Sequence, residues 1–170
     1  MAGTLVVQTL QGPTSGANAN KVIIPSGQEL YAPGHVIQVV QNAYEGTTSV
    51  TSGSYVDTNL TASITPTSSS STIYVFTSLA WALNGNMGVS AKLLSQTGGG
   101  GYSDLQVYEN VMAYADNTKA TFSPVYKHIP STTSQVDYKF QVKVFTGSGT
   151  WRINNNLPNQ STITLMEIAG

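Results

Sequence analysis

Between Gln135 and Phe145 every second residue is apolar, with Val136, Tyr138, Phe140, Val142 and Val144 alternating with Asp137, Lys139, Gln141 and Lys143. A period of two belongs to a strand with one face on a core and the other in water. Seven further segments share its richness in β-branched and aromatic residues: Val36 to Gln41, Tyr55 to Ile64, Thr72 to Leu83, Val89 to Leu94, Leu105 to Tyr114, Thr121 to His128 and Ser161 to Ile168. Clusters of Gly, Pro, Ser and Asn separate them, which is the punctuation of turns. No comparable helical periodicity runs through the chain, and 16 Gly and 7 Pro weigh against long helices. The expected fold is all-β, an antiparallel jelly-roll-like β-sandwich.

Residues 1–35 break this rhythm and read as an extended N-terminal arm, leaving 36–170 as the β-sandwich head. Leu5, Val6, Val7 and Leu10 form one short apolar stretch and Val22, Ile23 and Ile24 another, with a polar loop between them. Apolar segments outside a core are a liability in water unless they add to another sheet or dock on another protein. These seven residues are therefore the candidates for assembly and anchoring.

Seven Lys and Arg against eight Asp and Glu, with only 9% of residues charged, leave no basic footprint for nucleic acid or anionic membrane. Such a surface is poorly protected against self-association, so burial in an oligomer or larger assembly is expected. With no cysteine there is neither disulfide nor thiolate chemistry. The N-terminus lacks the basic region and long apolar stretch of a signal peptide, which points to synthesis in a cytoplasm without secretion.

Residues able to carry catalysis are scarce. His35 and His128 both stand at strand ends, where an imidazole most often satisfies local backbone groups. Asp104, Glu109 and Asp116 could together offer oxygen ligands to a hard cation, but their spacing fits no known loop motif. The run Gly98 to Gly101 precedes no helix, so it reads as a hairpin tip rather than a phosphate cradle. No catalytic residue, cofactor or metal site is expected, and the chain reads as non-enzymatic.

Tyr44, Tyr102, Tyr108, Tyr114, Trp81 and Trp151 are the aromatics that could stack on a sugar or a protein partner, with Trp81 the one best suited to a core. Tyr102 beside the glycine run and the loop residues Asn154, Asn155 and Asn156 are the candidates for surface recognition.

Three stretches carry a resemblance: LQGPTSGANANKVIIPSGQELYAPGHVIQVVQ (Leu10 to Gln41), SYVDTNLTASITPTSSSS (Ser54 to Ser71) and STITLMEIAG (Ser161 to Gly170). They resemble small virion structural proteins and tail-fibre-tip-like proteins of cyanophages and related aquatic tailed phages. The resemblance implies an extended N-terminal segment, a β-sandwich head, assembly as a homotrimer on the particle exterior, and no enzyme activity. A length of 170 residues leaves no room for a fibre shaft. The expected role is thus a capsid decoration or cement protein that contacts the major capsid protein or other virion proteins. The alternative is the receptor-binding tip of a short tail fibre, contacting host-surface glycan.

Overall fold

The computed structural model describes residues 9–19, 21–26, 32–114, 116–154 and 160–170. Two compact units are present, Met1–Ala32 and Pro33–Gly170.

In the first unit the described residues form turns rather than strands. Ala19 donates its N–H to the Gly16 carbonyl at 3.1 Å, and Lys21 to that of Asn18 at 3.2 Å. Leu10, Val22, Ile23 and Ile24 are all exposed. The expected strand at Leu5, Val6 and Val7 lies outside the described residues.

Among the described residues the second unit is all-β, with eleven strands: β1 (Val36–Tyr44), β2 (Thr48–Val50), β3 (Val56–Ile64), β4 (Thr72–Asn84), β5 (Met87–Thr97), β6 (Ser103–Tyr114), β7 (Lys119–Phe122), β8 (Val125–His128), β9 (Val136–Gly147), β10 (Thr150–Ile153) and β11 (Ser161–Ile168). They make two antiparallel sheets. One has four strands in the order β3-β9-β5-β6. The other has seven, which reduce to four rows because three rows are broken: β1 with β2, β11 with β10, the long β4, and β8 with β7. Two four-row sheets are the jelly-roll-like sandwich that the strand pattern predicts.

Its core is built by the inward residues of both sheets. Leu60, Val89, Leu93, Tyr138, Phe140 and Val142 come from the four-stranded sheet; Ile73, Val75, Leu79, Trp151, Ile163 and Leu165 come from the other. On β9 the alternation legible in the sequence is realised, with Val136, Tyr138, Phe140 and Val142 all at or below 1% exposure. Trp81 is buried as expected, but Trp151 is fully buried too, so it is a core residue of β10 and not a surface aromatic. Tyr44 and Tyr108 pack on the core from its margin, and Tyr108 meets Phe122 edge-on, with ring centroids 5.2 Å apart.

The breaks in the rows explain where the strand reading differs. The expected single strand Thr121 to His128 is two, because Pro124 has no N–H for the ladder; its carbonyl instead accepts the Thr77 N–H at 3.1 Å. Three-residue β2 and four-residue β10 are too short to show a period.

The sheet edges are blunted. β3 and β6, the outer strands of the four-stranded sheet, each carry an irregular register and an asparagine at positive φ, Asn59 at 65° and Asn110 at 47°. β1 also shifts register, between Val36 and Gln38. Bulges of this kind turn edge N–H and C=O groups away from an incoming strand.

Candidate functional site

Outward-facing residues distinguish the two sheets sharply. From the four-stranded sheet project Asp57 of β3, Lys92 of β5, Asp104 and Glu109 of β6, and Asp137, Lys139, Gln141 and Lys143 of β9. Three ion pairs cross the strands: Lys92 to Asp104 at 2.9 Å, Lys139 to Asp57 at 2.9 Å and Lys143 to Glu109 at 3.3 Å.

Two tyrosines from the ends of the edge strands fold across this face. The Tyr55 ring lies 4.6 Å from both the Lys92 and the Lys143 ammonium, and its hydroxyl donates to Glu109 at 3.2 Å. Tyr102 comes from the opposite edge and lies 4.1 Å over the Lys139 ammonium. A cation under an aromatic face is attracted by the ring quadrupole. The lysine side chains are thereby sheltered to 15–19% exposure, while Asp57, Asp104 and Glu109 remain about half exposed, at 48–51%. What the face turns to solvent is therefore ring and carboxylate.

The carboxylates are held in place. Asp57 takes a hydrogen bond from Gln141 at 2.8 Å, Asp137 takes them from Gln96 and Gln135 at 2.8 and 2.6 Å, and Glu109 takes one from Ser90 at 2.9 Å. Burial pushes the Asp57 carboxyl up, but the hydrogen bonds from Lys139 and Gln141 outweigh it and leave the group below the usual carboxylate range. Glu109 and Asp137 are likewise held low, chiefly by their bonds to Ser90 and Ser63. Burial, with Glu109 beside it, raises Tyr55 to about 12, and burial raises Tyr102 as well. At neutral pH Tyr55 and Tyr102 are thus neutral phenols, and Asp57, Glu109 and Asp137 are ionised, acceptor-only carboxylates.

Asn154 corrects the sequence reading. Its neighbours Asn155 and Asn156 lie outside the described residues, but Asn154 is 2% exposed and cannot serve surface recognition. It sits at φ 57° directly after β10, at the break between β10 and β11. Its Nδ2 donates to the carbonyls of Tyr44 and Gly46, in the gap between β1 and β2. Its Oδ1 accepts from Ser161 at 2.6 Å, and Ser161 Oγ accepts the Ala80 N–H of β4 at 3.0 Å. Side chains thus replace ladder bonds where three rows would otherwise be unstitched. Asn154→Ala is expected to cost about 1–3 kcal/mol, because the buried Ser161 hydroxyl loses its acceptor and the part-buried Tyr44 and Gly46 carbonyls lose their donor; denaturant titration of the variant measures it.

His128 is also structural in placement. Its Nδ1 lies 2.8 Å from the Tyr138 hydroxyl, its ring meets that tyrosine edge-on, and burial lowers its pKa so that the neutral imidazole is favoured. The His35 carbonyl accepts the Ala169 N–H at 2.9 Å. Asp104, Glu109 and Asp116 do not converge: the first two pair with separate lysines, and Asp116 accepts the Gly85 N–H at 2.7 Å. Among the described residues no three His, Asp or Glu are grouped to hold a metal ion. Gly98 and Gly99, at φ 58° and 77°, form the β5–β6 hairpin turn.

No protein-family model and no curated protein matches the chain. Solved structures align with the chain at low identity and at TM-scores below 0.5. Eiger TNF from S. frugiperda aligns at 11% identity and a TM-score of 0.49, over 81% of this chain and 94% of that one. The infectious bursal disease virus Gx strain structure aligns at 11% identity and 0.43, over 95% of this chain and 42% of the viral one. TmCBM61, solved with β-1,4-galactotriose, aligns at 11% and 0.33, over 77% of this chain and 90% of that one.

Proposed function

We propose that the protein is a non-enzymatic structural component of the exterior of a tailed-phage particle: a homotrimeric capsid decoration protein that binds the shell through its N-terminal unit. The observation that supports this reading best is the outward face of the seven-stranded sheet. Two registered rows cross it, Val39–Met166–Tyr74–Lys127 and Gln41–Thr164–Phe76–Val125. Val39, Phe76 and Val125 are 54%, 37% and 56% exposed, and no described carboxylate projects among these rows.

An exposed apolar patch of this kind marks an interaction surface. Of the edge strands, β1, β3 and β6 carry bulges and β2, β7 and β8 are only 3, 4 and 4 residues long, both of which disfavour strand pairing, and the opposite face is charged and internally paired. Face packing between sister subunits is the association left open, and a net charge of −1 opposes it little. The exposed Leu10, Val22, Ile23 and Ile24 of the N-terminal unit are the anchoring residues in this reading, and the major capsid protein or a neighbouring virion protein is their partner.

Placing a carboxylate on the face tests it. Val125→Asp is expected to shift the protein from trimer to monomer in sedimentation velocity while leaving the strand signature in circular dichroism unchanged. The side chain is exposed in the single chain, so its replacement removes no core contact. A Val125→Asp protein that stays trimeric would falsify the assignment of this face.

A further inference from the structure

We infer that the outward face of the four-stranded sheet is a binding platform for a neutral, hydroxyl-rich glycan. This inference does not depend on the decoration reading, since it concerns the isolated protein.

The argument starts from what the face offers. Its ammoniums are sequestered beneath tyrosine rings and bridged by carboxylates, so four carboxylates (Asp57, Asp104, Glu109, Asp137) stand against three lysines, and the carboxylates are the groups turned outward. An ionised carboxylate has about four acceptor sites; besides their lysines Asp57 accepts from Gln141 and Glu109 from Ser90 and Tyr55, and Asp137 accepts from Gln96 and Gln135, so part of each carboxylate stays open. The open sites call for donors from a ligand, and sugar hydroxyls are such donors. An anionic polymer meets like charge, which excludes nucleic acids and acidic polysaccharides.

The second feature is the pair of rings. Tyr55 lies against two lysine ammoniums and Tyr102 against one, yet Tyr55 is only partly buried and Tyr102 is 36% exposed, so ring surface remains open to a ligand. Flat apolar rings flanking polar acceptors match a pyranose, which has C–H faces and a hydroxyl rim. Lys139, against Tyr102, and Lys143, against Tyr55, are four residues apart on β9, a backbone span of roughly 13 Å. That is the reach of a short oligosaccharide lying along the strand. Between them Asp57, fixed by Lys139 and Gln141, presents its oxygens without needing to be ordered first; preorganisation of this kind lowers the entropic cost of binding.

The experiment is affinity electrophoresis of the full chain through native gels containing galactan, dextran or mannan, with polygalacturonate as the acidic polymer. Retardation by at least one neutral polymer and none by polygalacturonate is expected. In the Tyr55→Ala/Tyr102→Ala double variant the apparent affinity should fall at least tenfold, and in Ser123→Ala, at an exposed position between β7 and β8, it should not change. If the double variant fails to fold, Asp57→Asn, which keeps the side-chain shape, is expected to weaken retardation several-fold. Free migration in all three neutral gels overturns the inference, as does undiminished retardation of the folded variants. Retardation by polygalacturonate alone also overturns it and moves attention to Lys119, Lys127 and Arg152 on the other sheet.

Discussion

Gly147→Ala lowers the stability of the β-sandwich by roughly 3–5 kcal/mol, the sum of a strained backbone and an overpacked contact, and for a domain of this size that corresponds to a melting temperature about 10 °C lower. Gly147 ends β9 at φ 82°, a region that L side chains enter at a cost. There is also no room for a methyl group: a Cβ would stand 2.2 Å from the Asn86 carbonyl oxygen and 2.9 Å from the Met87 Cα. Both are backbone atoms, one of the β4–β5 turn and one of the start of β5, so no side chain can swing aside. The two turns are joined by Ser148 donating to the Asn86 carbonyl, and their separation would unpair the adjoining ends of β5 and β9. Gly98 is the control. Its φ is also positive, at 58°, but nothing lies within 4 Å of a Cβ there, so Gly98→Ala is expected to cost only about 1–2 kcal/mol. Differential scanning calorimetry of the two variants separates clash from backbone strain, and equal losses would contradict the steric account.

Glu167→Ala is the second large effect, a loss of about 3 kcal/mol. Glu167 is fully buried on β11, yet it is a carboxylate. It is tolerated because donors surround it: the Thr67 N–H at 2.7 Å, the Thr67 hydroxyl at 2.8 Å and the Gln38 amide at 2.6 Å. These tie the β3–β4 crossover between the sheets to the β1–β11 pair. Burial raises its pKa, and the hydrogen bonds, from Gln38 and Thr67 among others, outweigh burial and lower it below the ordinary glutamate value. A carboxylate with a depressed folded-state pKa binds protons more readily when unfolded. Its contribution is therefore complete above about pH 4.3, the unfolded value, and is lost as pH falls toward and through the folded pKa. Glu167→Gln should accordingly be less stable than the parent at pH 7 and lose less on acidification. Asp57, Glu109 and Asp137 share the same direction of shift, so the difference between the two curves, rather than either alone, reports Glu167. Parallel parent and Glu167→Gln curves from pH 7 to 3 would rule out this role.

The parts of the fold set by short-range periodicity were legible in the sequence. The β9 alternation identified both its buried residues and its outward Asp137, Lys139, Gln141 and Lys143, and Trp81 was assigned to the core correctly. Features that depend on long-range register were not. Asn154 reads as a polar loop residue until Tyr44, Gly46 and Ser161 are brought to it from 110, 108 and 7 residues away. Trp151 stands in a four-residue strand with no measurable period, and its burial follows only from pairing with β4 and β2. The lysine and carboxylate pairs were visible as residues but not as partners. Tyr55 closes over lysines of two other strands, Lys92 and Lys143, because β3, β9 and β5 are neighbours, an order that chain succession does not reveal. Tyr102 stood out through its place beside the glycine run, and the structure adds the Lys139 ammonium beneath it.

The proposed decoration role is tested most directly by incubating the purified protein with phage heads stripped of it and, in parallel, with intact host cells. Saturable binding to heads at a fixed ratio to capsid subunits is the predicted result. Binding to cells with none to heads would contradict it and place the protein at a fibre tip.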